Sequence, residues 1–467
     1  MARVPPPNPI GLRVTARLWR EEIAATFALS WPIVLTNLAN HLMTTTDVMM
    51  MGWYSPEALA AGTLGFNLYL PPFLFAIGVV GAVAPIAAAR LGADAGDREG
   101  VRRVAHASFA LSLALAAPIM AALWNTEAIL TALGEPPLLA RMAERYMHGL
   151  EWALFPNLLF FAARSLFAAL DRVAPILICA LLGLACNALA NYALVFGNLG
   201  APRLDVLGSG LSTTLSQTLM FVALALFVRL DARLKRARLF ALPWRFDAQV
   251  FAEIWRLGFP IGLTIVMEVG IFSYSALAMG LISPTAIEAH AIVLQLAAIA
   301  FMVPLGLGQA ASVRVGYFFG ARDKAGVARA GWAAFALAIC FVSLSATTMF
   351  VAPDWLLAPF LRGSSSQHAA LAALALSFLR IAAIFQIFDG AQAALANMLR
   401  GAHDSRVPAI MALCGYWLIG APLGFVLAFH TSLAGLGLWI GLAAGLACVA
   451  AMLLARWLWR LRRGVFV

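Results

Sequence analysis

Residues 29–52 read LSWPIVLTNLANHLMTTTDVMMMG. The stretch is long and apolar enough to cross a bilayer as one helix, since a span needs about 20 residues. It nevertheless contains Asp47, and a charged side chain at the centre of a bilayer costs roughly 2.5–3.5 kcal/mol. Glu268 and Asp389 lie in the same way inside later apolar stretches. Acids at this depth usually face a protein interior or a water-filled cavity and handle protons or ions. The three residues therefore predict a transporter.

The composition of the whole chain is that of a polytopic membrane protein. Of its 467 residues, 63% are hydrophobic and 12% are charged, and the mean hydropathy is +0.88. Soluble domains carry about 25% charged residues. We predict an all-α integral membrane fold with twelve spans, at approximately 26–53, 59–89, 104–124, 146–168, 174–198, 206–228, 252–282, 286–317, 331–352, 370–399, 407–429 and 434–458.

The net charge of +10 comes from short basic runs between the apolar stretches. These runs form no groove interleaved with aromatic residues, so we do not expect a nucleic acid as a partner. Arginine-rich loops alternate with arginine-poor loops, and Arg164 and Arg400 are counted in the rich set. Because cytoplasmic loops carry the excess of basic residues, both termini are expected in the cytoplasm of a bacterial cell, with the chain crossing the inner membrane.

The two halves of the chain are related by an offset of 228 residues. The offset takes Pro32 to Pro260, and it takes Met51, Gly52, Ser55 and Pro56 to Met279, Gly280, Ser283 and Pro284. Six spans per half is an even number, so the halves insert with the same orientation and their pseudo-twofold axis runs along the membrane normal. We predict a cytoplasmic segment at 1–25, an N-lobe at 26–228, a cytoplasmic linker at 229–250, a C-lobe at 251–458 and a basic cytoplasmic tail at 459–467.

A polar site is predicted in the N-lobe. Four polar residues share one face of the first span, at positions i, i+3, i+7 and i+10: Asn37, Asn40, Thr44 and Asp47. In the fifth span, Asn187 and Asn191 are one turn apart. Amides can hydrogen-bond a protonated carboxyl group or ligate sodium through their oxygens. Packing between helices is the alternative for the amides, but it does not explain Asp47.

A second polar site is predicted in the C-lobe. The seventh span presents Thr264, Glu268 and Ser275 on one face, and the tenth span presents Phe385, Gln386, Asp389 and Gln392. If Glu268 and Asp389 face one cavity, they form a coupled carboxylate pair that can hold a proton or share a sodium ion. Two unrelated interior acids are the alternative. A sodium ion is thus expected either at Glu268 and Asp389 or at Asp47 and Asn187.

The motifs together resemble one family along essentially the whole chain. They are the 29–52 segment, the pair Asn187-x-x-x-Asn191, RLGFPIGLTIVMEVG at 256–270, SVRVGYFFG at 312–320 and FDGAQAALANMLRGAHDSRVP at 388–408. The chain resembles bacterial multidrug and toxic compound extrusion (MATE) transporters of the NorM-type branch.

The resemblance implies two six-helix lobes in a V shape and a cation-coupled drug antiporter. It implies that Asp47, Asn187 and Asn191 carry the N-lobe cation and proton site, and that Glu268 and Asp389 bind the cation in the C-lobe. One position departs from the family, since similar proteins can have a tyrosine where this chain has Phe385.

We therefore expect a monomeric exporter of amphiphilic, mostly cationic drugs or toxic organic cations, driven by Na⁺ or H⁺, without a cofactor and with a part in antibiotic resistance. A lipid-linked sugar flippase of the same superfamily is the alternative. Such a flippase should show intramembrane arginine or lysine in its cavity, whereas the spans offer acids. An integral-membrane enzyme would need a nucleophile–base set or clustered metal ligands, and the histidines and cysteines are too scattered for that.

Overall fold

The computed structural model describes residues 9–231, 239–240, 246–360 and 366–464, and these residues are almost entirely helical. Residues 1–8 of the predicted N-terminal segment, most of the predicted linker at 229–250 and the last three residues of the predicted tail lie outside the described residues.

The first half of the chain forms helices α1 to α9. They are α1 (Pro9–Tyr54), α2 (Pro56–Val80), α3 (Val83–Ala93), α4 (Arg98–Leu123), α5 (Thr126–Ala132), α6 (Pro137–Leu150), α7 (Leu154–Ala169), α8 (Ala174–Leu194) and α9 (Asp205–Leu230). Helices α2 and α3 together make one span, and α6 and α7, joined by a 3₁₀ turn, make another.

The second half forms helices α10 to α17. They are α10 (Ala248–Ile282), α11 (Pro284–Gly320), α12 (Lys324–Val351), α13 (Pro353–Leu357), α14 (Ser366–Gly401), α15 (Arg406–Leu413), α16 (Ala421–Phe429) and α17 (Gly435–Arg463). A π-helical segment, Cys414–Gly420, joins α15 and α16 into one span.

Twelve helical segments of the described chain are long and apolar enough to cross a membrane, which confirms the predicted number of spans. The ends differ from the prediction at both termini. Helix α1 begins at Pro9, so the predicted segment 1–25 is mostly a helical extension of the first span. An ion pair one turn apart, Arg17 to Glu21 at 2.7 Å, supports the extension. Helix α17 likewise continues through Arg463 into the predicted tail.

The hairpin between the first two spans of each half uses the same turn chemistry. Ser55 and Ser283 are the N-caps of α2 and α11, and each serine Oγ accepts a hydrogen bond at 3.0 Å from the backbone N–H three residues later. The next residue in each case is a proline, which suits the first turn of a helix because it lacks an N–H donor. The repeat found in the sequence therefore corresponds to the same turn between the first two spans of each half.

Each half of the chain has its own apolar core. One cluster of buried residues draws on helices α1 to α4 and α6 to α9, together with the first part of α10 and two residues of α11. The second cluster draws on α10 to α12 and on the helices that follow them. The most extensive contacts between the halves are those of α10 with α2 and of α11 with α3 and α1, and α12 also packs against α1.

The contacts between the halves follow the sequence repeat. A Cβ atom added at Gly78 would lie 2.4 Å from the Cα atom of Gly262, and one added at Gly306 would lie 2.4 Å from a methyl group of Val34. The offset of 228 residues takes Gly78 to Gly306 and Val34 to Gly262. The two close approaches are thus the same contact made twice, once on each side of the pseudo-twofold axis.

A second pair of contacts repeats nearer the helix ends. A Cβ atom added at Gly92 would lie 1.8 Å from the carbonyl oxygen of Tyr317, and one added at Gly320 would lie 1.9 Å from that of Ala89. The same offset relates the two contacts. The two halves therefore meet along a seam of small residues in which the backbones touch.

Two ion pairs join the halves at the same end of the bundle. Arg314 donates two hydrogen bonds to the Glu22 carboxylate, at 2.8 and 2.7 Å, and Glu22 is only 4% exposed. Arg90 donates to Glu253 at 2.8 Å. Paired forks between guanidinium and carboxylate are among the stronger polar contacts in proteins. These ion pairs therefore hold the two halves together at the end of the bundle where α1 begins and α17 ends.

Gly78→Ala should destabilise the protein by about 1–3 kcal/mol, because the added methyl group forces the backbones of α2 and α10 apart. The matched control is Gly280→Ala, where the new Cβ atom would meet only Ile287, at 3.7 Å. Both changes gain the same helix propensity, so only packing separates them. The measurement is the free energy of unfolding in mixed micelles. Equal values for the two variants would contradict the close seam.

Candidate functional site

The Asp47 carboxylate on α1 is held by three side chains from α8 and α9. Its Oδ1 atom accepts hydrogen bonds from the amide nitrogens of Asn187, at 3.0 Å, and Asn191, at 2.7 Å. Its Oδ2 atom accepts one from the hydroxyl group of Thr213, at 2.8 Å. Asp47 and both asparagines are buried. The structure thus brings together the acid and the two amides that the sequence singles out.

The same cluster contains hydrogen-bond acceptors that have no donor among the described residues. Both amide groups turn their nitrogens toward Asp47, and in the described chain the side-chain oxygens of Asn187 and Asn191 have no hydrogen-bond partner. A buried polar atom without a partner is rare and calls for an explanation such as a bound ion or water. Two amide oxygens beside a carboxylate are ligands of the kind that hard cations prefer. The cluster is therefore suited to receive a cation or a proton.

Thr213 is a member of this site that sequence reasoning missed. Helix α9 contains many serines and threonines, and most of those hydroxyl groups bond to a carbonyl of their own helix, as those of Ser212 and Ser216 do. Spacing along α9 does not distinguish Thr213 from these neighbours. Only the packing of α9 against α1 does so.

The polar stripe predicted on α1 does not form one site. Asn37 is about 15 Å from Asp47 along the helix axis, since ten residues separate them, and it bonds to Arg164 and Gln309 instead. Asn40 and Thr44 are half-buried, and their side chains make no hydrogen bond within the described residues. The prediction that all four residues act together is therefore wrong: a common helix face does not give a common depth.

Glu268 and Asp389 are brought together by one amide. The side-chain nitrogen of Gln392 donates to Glu268 Oε1 at 2.9 Å and to Asp389 Oδ1 at 3.3 Å. The hydroxyl group of Tyr416 donates to the Gln392 oxygen at 3.0 Å and so fixes which way the amide points. Asp389, Gln392 and Tyr416 are buried, whereas Glu268 is half-buried. The two acids therefore share one polar cluster, as predicted for a coupled pair.

Tyr416 is the second residue that sequence reasoning missed. It lies in the π-helical segment of the eleventh span, and π-helical turns occur frequently at functional sites. An extra residue in a turn changes which face the following side chains occupy. The helical periodicity of the sequence therefore does not indicate that the Tyr416 hydroxyl group reaches α14.

The other residues predicted for this site take different partners. The hydroxyl group of Thr264 bonds to the Pro260 carbonyl and that of Ser275 bonds to the Ile271 carbonyl, both within α10. Gln386 accepts a hydrogen bond from Ser345, at 3.4 Å. These three side chains bond to neither acid, which corrects the prediction of one continuous polar face.

Phe385 belongs to an aromatic cluster. Its ring meets those of Phe272 and Trp439 edge to face, with centroids 6.0 and 5.5 Å apart. Phe385 is 1% exposed. Phe385 lies one turn before Asp389 and gives it apolar surroundings. The tyrosine hydroxyl group in the polar cluster of Glu268 and Asp389 comes instead from Tyr416, on another helix.

Two arginines assigned to loops by the charge pattern lie inside helices. Arg164 is in α7 and Arg400 is in α14, and both line a cavity between the two halves of the chain. Arg164 is only 9% exposed. The assignment to loops is therefore wrong, because a long side chain near a helix end can turn inward. The argument against a flippase that rested on an absence of intramembrane arginine is thereby overturned.

A family model described as MatE matches the chain twice, at residues 32–193 and 260–426. The two matches cover well over half of the sequence. The chain belongs to the MatE family. The matches begin at Pro32 and Pro260, the same prolines at which the internal repeat is recognised. The resemblance stated from the motifs is confirmed.

Relatives support the assignment to the MatE family over nearly the whole chain. The probable multidrug resistance protein NorM of Mesorhizobium japonicum is 48% identical over 450 residues, which cover 96% of each chain. The protein of the same name from Brucella suis is 41% identical over 442 residues, which cover 95% of this chain and 94% of that protein.

Solved structures of MATE transporters have the same fold. A MATE protein in complex with MaL6 superimposes with a TM-score of 0.85 at 19% identity, covering 95% of this chain and 97% of that chain. The eukaryotic MATE transporter AtDTX14 gives 0.82 at 21% identity, covering 93% and 95%. These likenesses concern the fold alone, and they confirm the predicted fold class.

Thr213→Val should weaken the Asp47 cluster by about 1–3 kcal/mol, because the carboxylate loses a hydrogen-bond donor that an apolar group cannot replace. Thr218→Val on the same helix is the control, since its exposed hydroxyl group bonds only to the Thr214 carbonyl. The free energy of unfolding in mixed micelles measures the difference. A Thr218→Val loss as large as that of Thr213→Val would contradict the assigned contact.

Proposed function

We propose that this protein is a multidrug efflux antiporter that exports amphiphilic, mostly cationic organic compounds in exchange for Na⁺ or H⁺. Its MatE membership and its similarity to proteins named as multidrug resistance proteins support the efflux function. The main structural support for coupling drug export to an ion is the set of groups that surround Asp47. The carboxylate receives hydrogen bonds from two amides and one hydroxyl group and from no cationic side chain in the described chain.

Neutral donors leave the negative charge of Asp47 in place. A charge at this depth is costly unless something neutralises it, and a proton or a sodium ion can do so. The spare amide oxygens of Asn187 and Asn191 add ligands for sodium. Glu268 and Asp389 form the second candidate site, because two carboxylates around one amide repel each other until a cation or proton joins them.

Exchange follows if the ion and the drug oppose each other's binding. A cationic drug is attracted to the acids when they are empty and is repelled when a cation already neutralises them. Such reciprocal coupling is what antiport needs. On this mechanism the ion enters from outside and releases the drug, and loss of the ion on the inner side restores drug affinity. The protein acts as a monomer and needs no cofactor.

Alternating access uses the two halves as lobes, with the N-lobe at 26–228, the linker at 229–250 and the C-lobe at 251–458. The excess of arginine in alternate loops supports a cytoplasmic position for both termini. The close contacts at Gly92 and Gly320 and the Glu22–Arg314 pair lie toward that same end, so on this orientation they close the cytoplasmic side. Opening to the cytoplasm then requires the ion pairs between the lobes to separate.

Asp47→Asn, Glu268→Gln and Asp389→Asn should each lower ion-driven efflux at least tenfold, because each removes a charge that binds the coupling ion. The measurement is export of a cationic dye from proteoliposomes, with the sodium and proton gradients imposed separately. Glu288→Gln is the control, since Glu288 is exposed at the start of α11. If Asp47→Asn and Glu268→Gln both transport at the wild-type rate, the proposed coupling is wrong.

A further inference from the structure

A cavity of about 110 Å³ lies between the two halves of the chain. Part of its wall is built from repeat-related pairs: Ile33 matches Ile261, and Ile77 matches Leu305. The cavity therefore sits on the pseudo-twofold axis. Its polar groups do not follow the repeat. Asp47, Glu268 and Asp389 do not line it.

Arg164 supplies the first positive charge of this cavity. One guanidinium nitrogen donates to Asn37 at 3.2 Å and to Gln309 at 3.0 Å, and the guanidinium group lies 4.5 Å from the ring centroid of Phe161. Within the described residues it forms no ion pair. Gln309 belongs to the opposite half of the chain, so Arg164 is positioned by both halves.

Arg400 supplies the second positive charge, from the other half. Its one hydrogen bond in the described chain is a long one, 3.4 Å, from its NH1 atom to Asn397. Asn397 lies against the backbone of Gly308, since a Cβ atom added there would be 2.8 Å from the Asn397 nitrogen. Gly308 directly precedes Gln309, which bonds to Arg164. The two arginines thus belong to one polar patch on the wall of one cavity.

Two guanidinium groups in a small, largely apolar cavity call for an anion. Arginine stays protonated in proteins, so it cannot remove the cost of burial by losing a proton. Each guanidinium group keeps N–H donors that make no hydrogen bond to the described residues. A planar carboxylate offers one negative charge and two oxygens, whereas a tetrahedral phosphate offers more charge and oxygens in several directions. Phosphate therefore suits two arginines that approach from different helices.

We propose that this cavity binds a phosphate group, either free or on a lipid headgroup, held between Arg164 and Arg400. Because the two arginines come from different halves of the chain, the bound phosphate bridges the halves. It thereby stabilises the arrangement in which the glycine seam is closed. None of the three acids lines this cavity, but Arg400 also lines a second, smaller cavity together with Gln392, which bonds to Glu268 and Asp389. The proposed phosphate has the opposite charge to the transported cation.

The first test measures the thermal unfolding midpoint of the full-length protein in a neutral detergent. Inorganic phosphate is titrated against chloride at constant ionic strength and pH. A specific site gives a saturable rise in the midpoint, since a ligand that binds only the folded state stabilises it. Arg164→Gln and Arg400→Gln should each raise the phosphate concentration at half-effect at least tenfold. Arg98→Gln, which removes an exposed charge at the start of α4, should leave it unchanged.

A second arm separates the two sources of phosphate. Phosphatidylglycerol or phosphatidylcholine is added to the micelles before the titration. If phosphatidylglycerol alone stabilises the wild type, has no such effect on Arg400→Gln and abolishes the response to inorganic phosphate, the site takes a lipid headgroup. If the response to inorganic phosphate persists with both lipids, the site takes free phosphate.

Two results would overturn the proposal. One is an equal response of the wild type and both arginine variants to phosphate, and the other is the absence of any saturable response in either arm. If Arg164→Gln yields no folded protein, Arg164→Lys takes its place. Lysine keeps the charge but loses the planar fork, so phosphate binding should weaken, and by less than is expected for Arg164→Gln.

Discussion

A carboxylate inside a membrane needs groups that replace its water, and the way this protein supplies them shapes both candidate cation sites. Asp47 is held by amides and a hydroxyl group, and Glu268 and Asp389 share the amide of Gln392. An arginine hydrogen-bonded directly to an acid would stabilise it more strongly, but it would also cancel the charge that attracts a cation. Neutral donors satisfy the hydrogen-bonding needs of the carboxylates and leave their negative charge available to a cation. Helices α8, α9 and α14 must therefore pack where their amide and hydroxyl groups can reach the acids.

The two halves repeat each other's packing contacts more closely than they repeat each other's polar side chains. The offset of 228 residues reproduces the serine–proline turns and the glycine contacts between the halves. The same offset places Asp47 against Ser275 and Glu268 against Asn40, so no acid has an acidic counterpart. Packing constrains both halves alike because they meet along a shared seam, whereas a side chain in a cavity is free to differ. Two bodies of like shape therefore carry two different polar clusters.

Much of the fold and the centre of each site could be predicted from the sequence. Twelve apolar stretches indicated the spans, and the turn-spaced amides indicated the partners of Asp47. Thr213 could not be predicted, because most hydroxyl groups in helices bond to their own backbone. Tyr416 depends on a π-helical turn that helical periodicity does not show. Arg164 was assigned to a loop because charge counting registers position along the chain and not the direction in which a side chain points.

The ion pairs between the halves also bear on how the protein is made. Glu22 is near the start of the chain, and its partner Arg314 emerges from the ribosome almost 300 residues later. Arg90 is likewise synthesised before its partner, Glu253. Apolar surfaces of a half-made bundle are satisfied by lipid, but these charges are not. The first six spans therefore enter the bilayer with unpaired charges near one surface, and Glu22 gains its partner only when the eighth span, which carries Arg314, has been made.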